Sequence, residues 1–308
     1  MHGTNAYSRE ETIIMTAHQP IVVGVDGQSA LAAVTWAARE AVYHDAPLVL
    51  VTVTSMPGDS GVPTGIPAGF FDDQGLAARK RLEKAEEFAR AAAHGHDIDI
   101  EIEIARGTGS PTRELLERSE TARMVVVGSN RYGPVERALL GSVSTAVVTH
   151  ARCPVAVVRE LPHTEVTEIV GPVVVGVDGT ANSEPAISVA FEEAAQRQVG
   201  LVAVHAWSDI DLDLAGWRGS GFEWEKQHTR EMALLAESLS GRAEEYPDVK
   251  VQAVVVIDRP VHNLRAQAER AQLLVVGSRG RGGFASMLLG STSRALLHTV
   301  TCPLIVAR

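Results

Sequence analysis

The sequence predicts an α/β protein built from two tandem doubly wound parallel sheets of five strands each. A chain of 308 residues has the usual length of two domains, and the segment Ile21–Gly27 returns almost unchanged as Val173–Gly179. Short apolar runs without alternation recur along both copies, which indicates strands that are buried on both faces. Between these runs lie stretches with helical spacing of apolar residues. Such alternation is typical of a parallel sheet covered by helices on both faces.

The internal repeat covers nearly the whole chain and sets the domain boundaries. We place the first domain at residues 17–159, the linker at 160–171 and the second domain at 172–308, and we expect residues 1–16 to form a disordered tail in which Met15 is an equally good start. Three further segment pairs recur in the same order, so that all four pairs have offsets of 149 to 152 residues: Met124–Ser129 with Leu273–Ser278, Leu139–Ser142 with Leu288–Ser291, and Cys153–Val158 with Cys302–Ala307.

Helices and strands can be placed most clearly in the second repeat. Ser183 is the expected N-cap of its first helix, and the apolar face that follows has a counterpart after Ser29 in the first repeat. Those faces consist of Ile187, Ala190, Phe191 and Ala194, and of Leu31, Val34, Ala38 and Ala41. The apolar runs predict strands at residues 172–178, 200–207, 250–257, 272–277 and 303–307, with four helices between them.

A glycine-rich segment follows the fourth strand of the second repeat and reads VVGSRGRGGFASMLLGST from Val275 to Thr292. Glycines permit positive φ angles and a close approach of the backbone to a ligand. The helix start at Gly290 directs backbone N–H groups and the positive end of the helix dipole at an anion. Arg279 and Arg281 add charged donors. The segment therefore predicts a phosphate-binding loop, with a ligand-free tight turn as the alternative.

The spacing Gly277-x2-Gly280-x9-Gly290-Ser291 resembles the phosphate-binding signature of the universal stress protein family, in its ATP-binding subclass. The run Cys302–Val306 resembles the closing strand of that family. This resemblance implies a Rossmann-like, flavodoxin-like sandwich with strand order 3-2-1-4-5 in each repeat. Other nucleotide motifs fit less well, because the chain has no G-x-x-x-x-G-K-[ST] loop and its G-x-G-x-x-A match lies late in the repeat.

Candidate ligand-binding residues follow from this topology, because a ligand binds beyond the carboxyl ends of the strands where the winding reverses. The resemblance implies that Asp26 and Asp178 lie against the adenosine half of ATP, with a turn-capping role as the alternative. The candidates are Gly24, Asp26, Gly128, Ser129, Gly133, Gly141 and Ser142 in the first repeat, and Gly176, Asp178, Asp209, Val276, Gly277, Ser278, Arg279, Gly280, Arg281, Gly282, Gly290, Ser291 and Thr292 in the second.

The phosphate loops of the two repeats differ. Arg131 and Tyr132 replace Gly280 and Arg281, and Pro134 replaces a further glycine. If Gly280 requires a positive φ angle, an arginine there would cost about 1–2 kcal/mol, and the proline removes a backbone N–H donor. The sequence leaves open whether the first site binds with a rearranged loop, binds more weakly or does not bind.

Two long loops and two cysteines complete the candidate features. The loops at residues 55–71 and 208–222 have the length of lids or partner surfaces. Asp209 is expected to reach the ribose of a bound nucleotide, with a solvated loop acid as the alternative. Cys153 and Cys302 are expected to be small buried core residues, with redox sensing as the alternative. The histidines show no metal-ligand spacing.

Composition disfavours several classes of partner. The formal net charge of −10 disfavours nucleic acid and anionic membranes, which both require positive potential. No apolar run approaches the roughly 18 residues that span a bilayer, and the first residues lack the apolar core of a signal peptide. The sequence therefore predicts a soluble cytoplasmic protein that binds neither nucleic acid nor membranes.

The resemblance implies an ATP-binding universal stress protein that acts as a nucleotide-dependent regulator in a stress response, with Mg²⁺ carried by the phosphates and no catalytic residues. The alternatives are a slow ATPase or phosphotransferase, for which no base is evident, and a structural interaction module. The final strands, Val155–Val158 and Leu304–Ala307, are apolar edges without protective charges, so we expect them to pair antiparallel with each other. A homodimer of such chains is also expected, and its protein partners are unknown.

Overall fold

The computed structural model describes residues 19–27, 30–55, 70–107, 110–129, 140–159, 171–207, 221–281 and 288–308. Its chain divides into two compact units, Met1–Glu160 and Leu161–Arg308. The predicted tail, nearly all of the predicted linker and most of both long loops lie outside the described residues. No helix in the described part of the chain is long and apolar enough to cross a membrane.

The first unit is a parallel five-stranded sheet with helices between successive strands. Its strand order is β3-β2-β1-β4-β5, with every described pairing parallel. The elements are β1 (Ile21–Gly24), α1 (Leu31–His44), β2 (Leu48–Ser55), α2 (Phe70–Ala92), β3 (Ile100–Gly107), α3 (Pro111–Arg118), β4 (Met124–Ser129), α4 (Ser142–His150) and β5 (Val155–Arg159).

The second unit repeats this arrangement with the order β8-β7-β6-β9-β10, again all parallel. Both units therefore have the predicted order 3-2-1-4-5, and every strand predicted in the second repeat is present within about one residue of its expected ends. The elements are β6 (Val173–Val177), a 3₁₀ turn (Ala181–Ser183), α5 (Glu184–Gln196), β7 (Leu201–Trp207), α6 (Gly221–Glu245), β8 (Val251–Ile257), α7 (Pro260–Ala268), β9 (Leu273–Gly277), α8 (Ser291–Thr299) and β10 (Leu304–Ala307).

Apolar strands in the middle of each sheet form the core. Val173 pairs with Leu201 on one side and with Leu273 on the other, and all three are fully buried. The predicted apolar face of α5 is buried as well, and its Phe191 ring lies 6.1 Å from the ring of Tyr246. Burying one such side chain stabilises the fold by about 1.5–3 kcal/mol. The continuous apolar runs thus form central strands because both of their faces are covered.

Ser183 stands at the predicted helix start but uses its hydroxyl differently. It occupies the N-cap position of α5 without a capping hydrogen bond from its side chain. Its Oγ instead accepts from the backbone N–H of Asp178 at 2.8 Å and donates to that aspartate's Oδ1 at 2.7 Å. Helix capping is taken over by Thr180, whose hydroxyl accepts from the N–H of Asn182 at the start of the 3₁₀ turn. The turn after β6 is therefore fixed by its own side chains.

Candidate functional site

A cavity of about 730 Å³ opens at the carboxyl ends of β6, β7 and β9. This is the place where the winding of the second sheet reverses, since β6 lies between β7 and β9. The volume is in the range of small-molecule sites. The lining residues are Gly176, Val177, Asp178, Asn182, Ser183, Val204, Ala206, Pro260, Leu264, Val276, Gly277, Arg279, Gly280, Arg281, Gly290, Ser291, Thr292 and Ser293.

One side of the cavity is formed by the N-terminus of α8. Gly290 is its N-cap, with φ −65° and ψ 154°, and no side chain caps the helix. The carbonyl of Gly290 accepts the first helical hydrogen bond, which the N–H of Arg294 donates at 2.9 Å. The N–H groups of the first helical turn, residues 291–293, therefore have no partner within the helix. A helix start with free N–H groups and no capping side chain is a ready site for an anion. Ser291 and Thr292 stand in this turn, as the sequence predicts.

Close packing explains two of the predicted glycines. A Cβ atom at Gly277 would lie 3.1 Å from the carbonyl oxygen of Asn182 and 3.2 Å from that of Arg279. At Gly176 it would lie 3.2 Å from Leu264 Cδ1. Both distances are shorter than ordinary contacts, so side chains at these positions would push against the walls of the cavity.

The expectation that Gly280 could need a positive φ angle is wrong. Its φ lies outside the left-handed region, and a Cβ there would make an ordinary contact with Asp178 Oδ2 at 3.5 Å. Among the described residues of the site, the left-handed glycine is Gly179, with φ +76°, where an added Cβ would clash with Leu234 Cδ2. The backbone therefore gives no reason why Arg131, the counterpart of Gly280, should be strained.

Asp178 holds the turn after β6 and also faces the cavity. Its Oδ1 accepts from the backbone N–H and the hydroxyl of Thr180, both at 2.8 Å, and from the hydroxyl of Ser183. The turn-stabilising role considered for this residue is therefore present. Its Oδ2 is buried and has no hydrogen-bond partner among the described residues. One carboxylate oxygen thus organises the loop while the other is left for a donor in the cavity.

The two arginines of the phosphate loop differ in their surroundings. Arg281 lies against the end of β6, where its Nε donates to the carbonyl oxygen of Asp178. Its Nη2 lies 2.9 Å from His205 Nε2 and 3.6 Å from Glu231 Oε2. Arg279 also lines the cavity. The described cavity wall therefore carries two positive side chains and one negative side chain, which favours an anionic ligand.

The opposite wall of the cavity is apolar, and almost none of its residues were predicted from the sequence. It combines Val204 and Ala206 of β7, Pro260 and Leu264 of α7, and Val276, of which only the last was a candidate. Alternate residues of a strand share a face, so Val204 and Ala206 could have been placed beside Gly176 once the strand order was assumed. Pro260 and Leu264 required the packing of α7 over the sheet.

The serine two residues into α8 was also missed. Ser293 is buried, and its Oγ donates to the carbonyl oxygen of Gly277 at 2.6 Å, which joins the helix start to the end of β9. In the first unit the equivalent Ser144 donates to Gly128 at 3.0 Å. Recurrence of this serine in both repeats is the signal that could have identified it.

The first unit retains part of the same arrangement. Gly141 is the N-cap of α4, just before Ser142, with φ −61° and ψ 159°, again without a capping side chain. Gly24 packs under Leu115, whose Cδ1 would lie 3.0 Å from an added Cβ. Ser129 is 1% exposed, and its hydroxyl has no described hydrogen-bond partner. Gly24 and Gly141 therefore match Gly176 and Gly290 in local structure.

The carbonyl of Asp26 has a different neighbour from its counterpart in the second unit. The carbonyl of Asp26 accepts a hydrogen bond from Arg81 Nη1 of α2 at 3.3 Å, whereas the carbonyl of Asp178 accepts one from Arg281. The predicted residues Gly133, Asp209 and Gly282 lie outside the described residues, so the structure does not place them. Cys153 and Cys302 are both buried, as expected, with exposures of 7% and 5%.

Comparison with known proteins identifies the family. A model of the universal stress protein family matches residues 18–159 and again residues 170–308. The chain belongs to the universal stress protein family. Universal stress protein Rv2005c of Mycobacterium tuberculosis is 41% identical over 290 residues, which cover 94% of this chain and 96% of that protein. Universal stress protein Rv2623 of the same organism is 38% identical over 294 residues, with the same coverage.

A solved structure agrees with the fold. A universal stress protein from Archaeoglobus fulgidus matches with a TM-score of 0.71 at 19% identity, covering 94% of this chain and 98% of its own. A second structure, described as the universal stress protein from Archaeoglobus fulgidus in complex with dAMP, covers 44% of this chain and 94% of its own, with a TM-score of 0.33 at 24% identity. That protein holds an adenine nucleotide.

Proposed function

We propose that the second domain binds ATP in the cavity at the end of β6 and that the chain acts as a nucleotide-dependent regulator in a stress response. The observation that carries this proposal is the uncapped start of α8, which faces an apolar wall across a cavity of about 730 Å³. Free N–H groups and two arginines suit a polyphosphate. The apolar wall of Val204, Ala206 and Leu264 suits a flat base.

The proposed binding mode assigns a role to each side of the cavity. The backbone from Gly277 to Arg281 and the first turn of α8 would hold the phosphates, with Mg²⁺ bound through phosphate oxygens. The free Oδ2 of Asp178 would accept from the sugar. No described residue of the cavity is placed as a general base for hydrolysis, which favours a retained ligand over a substrate.

Mass spectrometry of the nucleotide released from natively purified protein tests the proposal directly. We expect close to one molecule of ATP per chain, because the second domain has the more complete phosphate-binding loop of the two domains. Isothermal titration calorimetry of the nucleotide-stripped protein should then show tighter binding of ATP than of GTP. Protein that carries no nucleotide and binds none on titration would support the structural interaction module instead.

A further inference from the structure

A buried polar cluster lies beside the guanidinium of Arg281, under the N-terminal half of α6. His205 has no exposed surface, and its two ring nitrogens have different partners. Nδ1 lies 2.8 Å from the carbonyl oxygen of Val177, which can only accept, so Nδ1 carries a hydrogen. Nε2 lies 2.8 Å from Glu231 Oε2 and 2.9 Å from Arg281 Nη2.

The two contacts of Nε2 require different protonation states of the ring. In neutral His205 the Nε2 lone pair accepts from Arg281, and the carboxylate of Glu231 gains nothing from that nitrogen. In protonated His205 the Nε2–H donates to Glu231 and forms an ion pair, while the charge of the imidazolium repels the guanidinium of Arg281. One nitrogen cannot satisfy both neighbours. Protonation of His205 therefore removes the Nε2 contact of Arg281 and engages Glu231 Oε2, which lies 3.6 Å from Arg281 Nη2, so that the hydrogen bond from Arg281 Nε to the carbonyl oxygen of Asp178 is the described contact that is left unchanged.

The other groups around His205 leave both protonation states of the ring open to it. Gln227 donates to Glu231 Oε1 at 2.8 Å, so the second carboxylate oxygen is free for the histidine. On the neighbouring strands, β6 presents the backbone of Val177 and β8 presents the apolar Val255. Of the other charged or titratable groups on the elements packed against β7, Asp178 pairs with Thr180 and Ser183, and Glu184 pairs with Arg242 at 3.3 Å. The buried Glu193 of α5 pairs with Arg197, the half-buried His228 of α6 has a partner of its own, and His262 of α7 is exposed.

We propose that His205 and Glu231 are positioning residues that control, through protonation of His205, whether Arg281 is held away from the phosphates or turns into the cavity to bind them. The inference rests on the proposed nucleotide function and adds a regulator to it. At higher pH the neutral ring keeps Arg281 docked. When Nε2 takes a proton from water, the ring pairs with Glu231 and Arg281 becomes available to the phosphates. Nucleotide affinity of the second domain therefore rises as the pH falls.

The first domain lacks the histidine and the arginine of this cluster. Equivalent strand pairings, Ile21 with Leu48 and Val173 with Leu201, place Thr52 where the second domain has His205. Tyr132 takes the position of Arg281 in the sequence. The control by pH belongs to the second domain alone.

Calorimetric titration of ATP into the nucleotide-stripped full chain, at about pH 5.5 and about pH 8, tests the inference. The wild-type affinity should be about tenfold tighter at the lower pH, the value of one charge-assisted hydrogen bond of about 1.4 kcal/mol. His205→Gln should abolish this gain, and the exposed control His262→Gln should keep it. Protonation of ATP itself is common to all three proteins, so the comparison removes it.

The variant Arg281→Gln provides a second test in case His205→Gln does not fold. The side chain of Arg281 is 41% exposed, and replacing it leaves the buried ring of His205 in place. This variant should also lose the gain at low pH, while thermal unfolding confirms that it is folded. Retention of the wild-type pH dependence in either His205→Gln or Arg281→Gln overturns the inference, and so does a wild-type affinity that does not rise. If no protein binds ATP at either pH, the proposed function itself fails.

Discussion

Replacing Gly290 with alanine tests the contribution of this residue to stability separately from its contribution to ligand binding. The backbone at this N-cap, with φ −65° and ψ 154°, is open to any residue. An added Cβ would lie 3.6 Å from the carbonyl oxygen of Ser278 and 3.8 Å from the nearest carbons of Arg279, which are ordinary contacts. Alanine restricts the unfolded chain, which raises the free energy of unfolding by about 0.4–1 kcal/mol, but it is a poorer N-cap than glycine by a similar amount, so the two effects offset each other.

The same methyl group should interfere with ATP. Gly290 lines the cavity, and the phosphates must approach the N–H groups of the helix start that it precedes. A hydrogen bond to a charged group is worth about 1.5–3 kcal/mol. Losing one such bond would weaken ATP binding by roughly tenfold to a hundredfold. The variant should therefore be close to wild type in stability and bind ATP clearly less well.

Calorimetry gives the affinity and thermal unfolding without ligand gives the stability. Gly241→Ala is the matched control, because Gly241 lies in α6 with no atom within 4 Å of its added Cβ. It should raise the stability and leave ATP affinity unchanged. Unchanged affinity in Gly290→Ala would refute the assignment of the helix start. A large loss of stability in that variant would instead refute the reasoning from its contacts.

Three other predictions follow from single contacts. Asp178→Asn should reduce bound nucleotide per chain more than Asp26→Asn, because Tyr132 and Pro134 leave the first loop with fewer donors; equal losses would contradict this. Arg118→Met should lower the free energy of unfolding by about 1 kcal/mol at pH 7, because Arg118 holds Glu103 at 2.8 and 2.5 Å and thereby lowers its pKa. Because the pKa of Glu103 is lowered in the folded state, this ion pair stabilises the fold above the ordinary pKa of 4.5 and stops doing so as the pH falls through the lower, folded-state pKa. Urea unfolding should therefore show the difference in stability between wild type and Arg118→Met disappear at low pH. The pairing of the final strands stays a prediction, and prolines at Val157 and Val306 should reduce solubility or stability if it exists, whereas proline at an exposed loop position should not.

The register of the final strands decides which of their positions suit a proline. The N–H of Leu274 donates to Pro303 and that of Ser278 donates to Ala307, so residues 303, 305 and 307 bond within the second sheet. Ile305 is therefore unsuitable, because a proline there would break the ladder to β9. Since bonding alternates along a strand, the outward N–H groups belong to Leu304 and Val306. Val157 is the outward counterpart in the first unit, where Pro154 accepts from Val125.

Features that depend on local pattern could be predicted from the sequence, and features that depend on packing could not. The strands and the Gly290 helix start follow from apolar runs and from glycine and serine at a helix boundary. The suggested positive φ angle at Gly280 was wrong, because a glycine-rich run does not reveal whether any one of its glycines needs such an angle. Among the described residues of the site, the left-handed glycine is Gly179, which lies outside that run in the turn after β6. The apolar wall from α7 was missed, because Pro260 and Leu264 reach the site only through the fold.

The two arginine contacts suggest how the repeats diverged after duplication. In both units one guanidinium donates to the carbonyl of the aspartate that follows the first strand, but it comes from α2 in the first and from the phosphate loop in the second. In the second unit this arginine is also shared with His205 and Glu231. The phosphates of the proposed ATP would compete with these groups for its guanidinium. Nucleotide occupancy of the second domain would therefore change a contact that holds the turn after β6.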